Sequence, residues 1–102
     1  MSNMIRGWFI GDFKPSILRT DKFEVGILTH KKGEYWPPHF HKEAIEYNVL
    51  LEGKMKVQET IINTEDIFIF KKGEIADPEF LEDCKVLVVK VPSIPRDKYE
   101  VF

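Results

Sequence analysis

The sequence predicts an all-β fold, a sandwich or barrel of short strands. Its apolar residues fall in short runs, and several of these runs alternate with the period of two that is typical of strands. Turn-forming residues separate the runs at intervals of about ten residues, as in sandwiches and barrels. No amphipathic pattern lasts for more than a turn or two of helix.

The predicted strands are rich in β-branched and aromatic residues and are too short for ordinary helices. In chain order they are 23–28, 45–51, 55–58, 67–70 and 86–91. Gly, Pro, Asn and Asp mark the turns between them. The runs 67–70 and 86–91 are apolar on both faces, and a small barrel covers only its inner face. We therefore expect a second subunit on the outer face, in a homodimer.

The length of 102 residues fits a single domain, 1–102, with a core at about 7–92 and a tail at 93–102 that lies over the surface or a partner. The sequence contains 15 basic and 17 acidic residues, which gives a net charge of -2. Because no basic patch is present, we expect no binding to nucleic acid or membranes. A single cysteine, Cys84, excludes an intrachain disulfide, and no signal peptide is recognisable. We expect a soluble, cytoplasmic protein.

One segment carries the residues of a metal site. On a strand, His39 and His41 point to the same face, with their Cβ atoms about 6.6 Å apart. A turn at 42–44 would bring Glu46 back alongside them. Two imidazoles and a carboxylate are the ligand set of many iron, manganese, nickel and zinc sites with open coordination positions.

The spacing around these residues is that of a known family. The segment from Gly33 to Gly53 fits Gly-x5-His-x-His-x4-Glu-x6-Gly without a mismatch, and the chain therefore resembles the cupins, of which this is the first signature motif. The resemblance implies a single-domain cupin jelly-roll barrel, a double-stranded β-helix. It also implies that His39, His41 and Glu46 hold a divalent metal ion inside the barrel.

The second cupin motif, Gly-x5-Pro-x-Gly-x2-His, is degenerate here. In the best alignment, Lys71 replaces the proline and Ala76 replaces the histidine that supplies the fourth ligand. Asp77 is adjacent, but strand alternation turns it to the opposite face unless a bulge intervenes. The site is therefore a three-ligand centre, a site completed by Asp77, or a degenerate pocket.

Two functions follow from different classes. The first is a metal-dependent enzyme of the dioxygenase or isomerase type, acting on a small organic or sugar-like substrate. The second is a binding or sensory module without turnover, which the missing fourth ligand favours. Catalytic residues are not identifiable: no pairing of a histidine with an acid is apparent, and His30, beside Lys31, is expected to be exposed. Acidic neighbours are expected to raise the pKa of the Cys84 thiol, which argues against a nucleophile.

Overall fold

The computed structural model describes residues 7–36, 38–94 and 99–100, the last two by their backbone alone. These residues form strands and turns and contain no helix, so the predicted all-β class is confirmed. The strands are β1 (Trp8–Ile10), β2 (Glu24–His30), β3 (His39–Phe40), β4 (Ile45–Glu52), β5 (Lys54–Val57), β6 (Thr60–Asn63), β7 (Ile67–Phe70), β8 (Pro78–Phe80), β9 (Cys84–Val91) and β10 (Tyr99–Glu100).

The strands pair antiparallel in three sheets. A five-stranded sheet has the order β1-β2-β9-β4-β7, a three-stranded sheet has the order β6-β5-β8, and β10 pairs with β3. The core includes Leu50, Phe70 and Val88 from the five-stranded sheet and Met55 and Phe80 from the three-stranded sheet. This is the two-layered arrangement of a jelly roll.

Each long strand buries one face only. Along β9, Cys84, Val86 and Val88 are buried, whereas the residues between them are half-buried. The outer side of the run 67–70 is left uncovered in the single chain, where Ile67 and Ile69 are 69% and 46% exposed, and its cover by a second subunit stays a prediction. The period of two therefore decides which side of each run is core.

The uncovered face of the five-stranded sheet is an apolar grid. One row across the sheet joins Val25, Val89, Tyr47 and Ile69, and the next joins Ile27, Leu87, Val49 and Ile67. Tyr47 is 42% exposed and Ile27 is 40% exposed. A contiguous apolar surface of this kind is typical of a site where another protein packs. The homodimer stays a prediction, now with a defined face, which we call the outer face.

The two glycines that bound the first motif have backbone reasons to be there. Gly33 has a φ of 76° and Gly53 a φ of 99°, in the left-handed region that favours glycine. A Cβ atom at Gly53 would lie 2.4 Å from the carbonyl oxygen of Asp83. Gly33 therefore permits the turn after β2, and Gly53 lets β4 turn closely into β5.

The beginning of the predicted tail is tied to the barrel. Ser93 is buried, its backbone N–H donates to the carbonyl of Asp21 at 3.0 Å, and its hydroxyl accepts from the backbone N–H of Asp12 at 2.9 Å. The backbone of β10 lies beside β3, with Glu100 opposite His39. The rest of the tail, at 95–98 and 101–102, lies outside the described residues, and the domain bounds stay a prediction. Within 7–36, 38–94 and 99–100, no helix could span a membrane.

Candidate functional site

The two histidines of the first motif lie side by side in the barrel wall. His39 begins β3 and His41 follows it, and their exposed fractions are 7% and 3%. The ring centroids are 5.4 Å apart and the ring planes are nearly perpendicular, at 84°. The predicted sharing of one face is therefore present, in a short strand that the alternation alone does not mark.

Glu46 meets these histidines from the start of β4. Its Oε2 lies 3.1 Å from Nε2 of His41, and its side chain is 12% exposed. Burial alone would raise the pKa of Glu46, but the hydrogen bond with His41 and the positive charges of Lys90 and the two histidines outweigh it. The pKa of this carboxyl is therefore lowered. The turn at 42–44 returns the chain as the sequence predicted.

These groups adjoin a cavity of about 480 Å³ inside the barrel, which lies within the range of small-molecule sites. Its walls come from both sheets and are largely apolar and aromatic. His39, Glu46, Asn48 and Lys90 are among the polar groups on the wall. Nζ of Lys90 lies 3.7 Å from Oε1 of Glu24 and 4.8 Å from the ring centroid of Trp8. A small polar organic molecule could thus be enclosed by apolar walls and oriented by a few charged groups.

The position of the missing fourth ligand faces this cavity. Ala76 is 2% exposed, lines the cavity and exchanges two backbone hydrogen bonds with His39, of 3.1 and 2.6 Å. Asp77 is exposed and does not contribute to the cavity wall. The predicted register is therefore present, and this geometry does not support completion of the site by Asp77.

The donor groups fit a metal ion in part. Two metal–ligand bonds of about 2.1 Å that meet at a right angle place their donor atoms about 3 Å apart. Nε2 of His41 and Oε2 of Glu46 are 3.1 Å apart, which matches this separation. Within the described part of the chain, however, no three His, Cys, Asp or Glu side chains are grouped as a metal site. The structure thus contains a preformed pair with a third potential donor, His39, beside it. The role of the three as ligands stays a prediction.

Sequence reasoning missed a second polar cluster on the same cavity. The expectation that His30 is exposed was wrong: it is 9% exposed, and its Nδ1 lies 2.7 Å from Oε2 of Glu34. The same oxygen accepts a hydrogen bond from Nε1 of Trp36 at 2.6 Å. The alternation in β2 could have indicated that His30 is buried, because Gly26, Leu28 and His30 share the inner face. The positive charge of the neighbouring Lys31 had instead indicated an exposed position.

The single thiol is buried. Cys84 is 4% exposed, and its Sγ donates to the carbonyl of Lys54 at 3.3 Å. Burial raises the pKa of this thiol, and the nearby acids Glu82 and Asp83 add to the effect. The predicted direction is confirmed, with burial as the larger cause. A nucleophilic role is disfavoured.

Comparisons with known proteins agree with this architecture. No protein-family model matches the chain, and no curated protein matches it. Solved structures do. An RmlC-like cupin protein from Desulfovibrio desulfuricans is 25% identical, with a TM-score of 0.63 over 74% of this chain and 76% of that one. A double-stranded β-helix protein from Klebsiella pneumoniae is 19% identical, with a TM-score of 0.68 over 76% and 69%. The polyketide cyclase RemF from Streptomyces resistomycificus is 23% identical, with a TM-score of 0.70 over 81% and 63%. The chain therefore has the cupin fold, the double-stranded β-helix that its first motif predicted.

Proposed function

We propose that the chain is a small-molecule enzyme whose barrel cavity takes an oxygen-bearing organic substrate beside a divalent metal ion held by His39, His41 and Glu46. The observation that carries the proposal is the buried His41–Glu46 pair, whose Glu46 lines the 480 Å³ cavity together with His39. A divalent ion there would polarise a carbonyl or carboxylate oxygen of the substrate.

Burial of the pair supports a functional role. Removing an imidazole and a carboxylate from water costs free energy, and apolar residues of similar size often serve stability equally well or better. His41 and Glu46 are nevertheless buried, and Glu46 lies on the wall of the cavity. A carboxyl in a cleft whose pKa is shifted by specific charged partners is a candidate for a functional group.

The cavity sets the class of substrate. Its walls are largely apolar and aromatic, so a ligand that fits would bury much of its own surface against them. Lys90 favours a group that carries partial or full negative charge, although Glu24 and Glu46 already offset its charge. The same fold is found in a polyketide cyclase, an oxalate oxidase and a DMSP lyase. The fold is thus compatible with catalysis but does not choose the reaction.

A ligand-binding module without metal is the second candidate. Ala76 supports it, because an apolar side chain stands at the cupin position of the fourth ligand. The direct contact between His41 and Glu46 also supports it, since the two groups satisfy each other without an ion.

Metal analysis separates the two candidates. Untagged protein is stripped with EDTA and titrated calorimetrically with Mn²⁺, Ni²⁺ and Zn²⁺, as wild type and as His41→Ala, Glu46→Gln and Asp77→Ala. The enzyme proposal expects one ion per chain and a loss of about tenfold or more in affinity for the first two variants, with no change for Asp77→Ala. Absence of binding by wild type would favour the module.

Acid release tests the ligands themselves. Imidazole binds a metal ion only when it is unprotonated. A free imidazole side chain becomes protonated at about pH 6.5, so protons begin to compete with the metal ion at that pH. Bound metal is expected to dissociate below that pH in dialysis followed by elemental analysis. Full retention at about pH 4 would show that imidazoles do not hold it.

A further inference from the structure

A second group of polar side chains on the cavity wall has the arrangement of a general base. The ring of His30 lies between two aromatic side chains. It stacks on Phe80 with a centroid distance of 4.2 Å and an interplanar angle of 13°, and it meets Trp36 edge-on at 5.3 Å and 82°. His30, Glu34, Trp36 and Phe80 all line the cavity. The imidazole is therefore fixed in orientation and in contact with the space that a ligand would fill.

Glu34 determines which ring nitrogen carries the proton. Burial alone would raise the pKa of Glu34, but hydrogen bonds from His30, Trp36 and the backbone N–H of Lys31, together with the charge that His30 carries when it is protonated, lower it below its ordinary value. The carboxylate therefore only accepts hydrogen bonds, so the contact of 2.7 Å requires a proton on Nδ1. The neutral ring then carries its lone pair on Nε2.

Nε2 of His30 opens to the cavity. Among the described residues the hydrogen bond of this ring is made by Nδ1, and no fully buried side-chain nitrogen or oxygen lacks a partner. Nε2 has no hydrogen-bond partner among the described residues, so it cannot be one of the fully buried atoms. The space next to His30 is the barrel cavity. An unprotonated imidazole nitrogen thus faces the ligand space.

We propose that His30 is a catalytic general base, positioned by Glu34, that removes a proton from a small organic substrate whose C–H is acidified by an adjacent carbonyl. The proposal depends on the proposed function only in requiring that the cavity take a small molecule. It does not depend on a metal ion.

The step balances within the named groups. The lone pair of Nε2 forms a bond to the substrate proton, and the electron pair of the broken C–H bond moves into the carbonyl to give an enolate. The imidazolium that results holds both protons, and the Glu34 carboxylate balances its charge. Return of the proton to carbon regenerates the neutral ring.

A model C–H acid tests the base directly. In 5-nitrobenzisoxazole, a base removes the proton on the ring carbon, the N–O bond breaks, and the electron pair ends on a coloured phenolate beside a new nitrile. EDTA-treated wild-type protein is expected to accelerate this reaction. His30→Gln is expected to lower the rate constant about 100-fold and Glu34→Gln about tenfold. Glu79→Gln, an exposed acid on β8, is the matched control and is expected to leave the rate unchanged.

The outcomes separate this proposal from the previous one. An unchanged rate constant in His30→Gln would overturn the general base. The same holds if the protein does not accelerate the reaction although quenching of tryptophan fluorescence shows that the probe binds. A rate that requires added metal would overturn its independence from the ion. Failure of the probe to bind would count against the small-molecule pocket itself, and the ring tautomer then decides the question of the base.

The tautomer is measured without any ligand. Long-range ¹H–¹⁵N correlation spectra distinguish a protonated from an unprotonated ring nitrogen, and His30→Gln assigns the signals. Wild type at a pH where the ring is neutral is expected to show the Nδ1–H form, and Glu34→Gln a larger share of the Nε2–H form. Nε2–H as the main form in wild type would refute the proposal, because the cavity-facing nitrogen would have no lone pair to offer.

Discussion

Ala76→His offers the sharpest test of the metal centre, because it adds a donor where cupins have one. The backbones of Ala76 and His39 exchange two hydrogen bonds, and in such antiparallel pairs the Cβ atoms lie about 5.5 Å apart. The new imidazole would therefore stand beside His39 on the cavity side. Because Ala76 lines the 480 Å³ cavity, the ring enters open space instead of packed core.

The expected gain follows from the number of donors. A well-placed extra ligand is worth at least about 1.4 kcal/mol, which is tenfold in affinity. Calorimetric titration of EDTA-stripped, untagged protein with Ni²⁺ at neutral pH measures it. Asp77→His is the matched control, since its side chain points to solvent and should change the affinity little. Equal affinities for Ala76→His and wild type, or an equal gain from Asp77→His, would refute the proposed placement of the donors.

Three further predictions concern stability and assembly. Leu50 is fully buried, so Leu50→Ala should cost about 2–5 kcal/mol and lower the Tm by about 10–20 °C in a thermal melt; a fall of only a few degrees would contradict its place in the core. Light scattering should give twice 12.0 kDa for wild type and 12.0 kDa for Ile69→Lys, whose side chain lies on the outer face, and a monomeric wild type would exclude the dimer. Folding lowers the pKa of Glu34 from its ordinary value of 4.5. The contribution of Glu34 to the free energy of unfolding is therefore present above pH 4.5 and is lost as the pH falls through the lowered pKa. Glu34→Gln should flatten the acid side of the stability curve in urea unfolding, which Glu79→Gln should not do.

The central strands could be predicted because they are long apolar runs rich in β-branched residues. β4 and β9 each contain eight residues and pair with each other in the middle of the five-stranded sheet, although Glu46, Asn48 and Lys90 make their inner faces polar where these line the cavity. The short strands β1, β3 and β8 could not be predicted in this way. They contain two or three residues, too few to establish a period, and their pairing partners are distant in sequence.

The candidate site shows the same division. The adjacency of His39 and His41 could be predicted from the His-x-His spacing of the first motif, and the inward side of Ala76 from the alignment with the second motif. The contact between His30 and Glu34 depends on a turn at Gly33 that reverses the chain between them, and the residue pattern does not contain that geometry. The charged neighbours Lys31 and Lys32 further made this stretch resemble an exposed loop.

The distribution of ionisable groups suggests why the cavity is polar at two places. Five ionisable side chains, His30, Glu34, His39, His41 and Glu46, come from the turn-bounded segment 30–46, whereas the core is supplied mainly by β4 and later strands. Most of the buried core residues thus come from one part of the chain and the candidate chemistry from another. Ala76, at the position where cupins have a fourth ligand, leaves both polar clusters in place. The His30–Glu34 pair is complete without a metal ion, so the proposed proton transfer needs only side chains of the barrel.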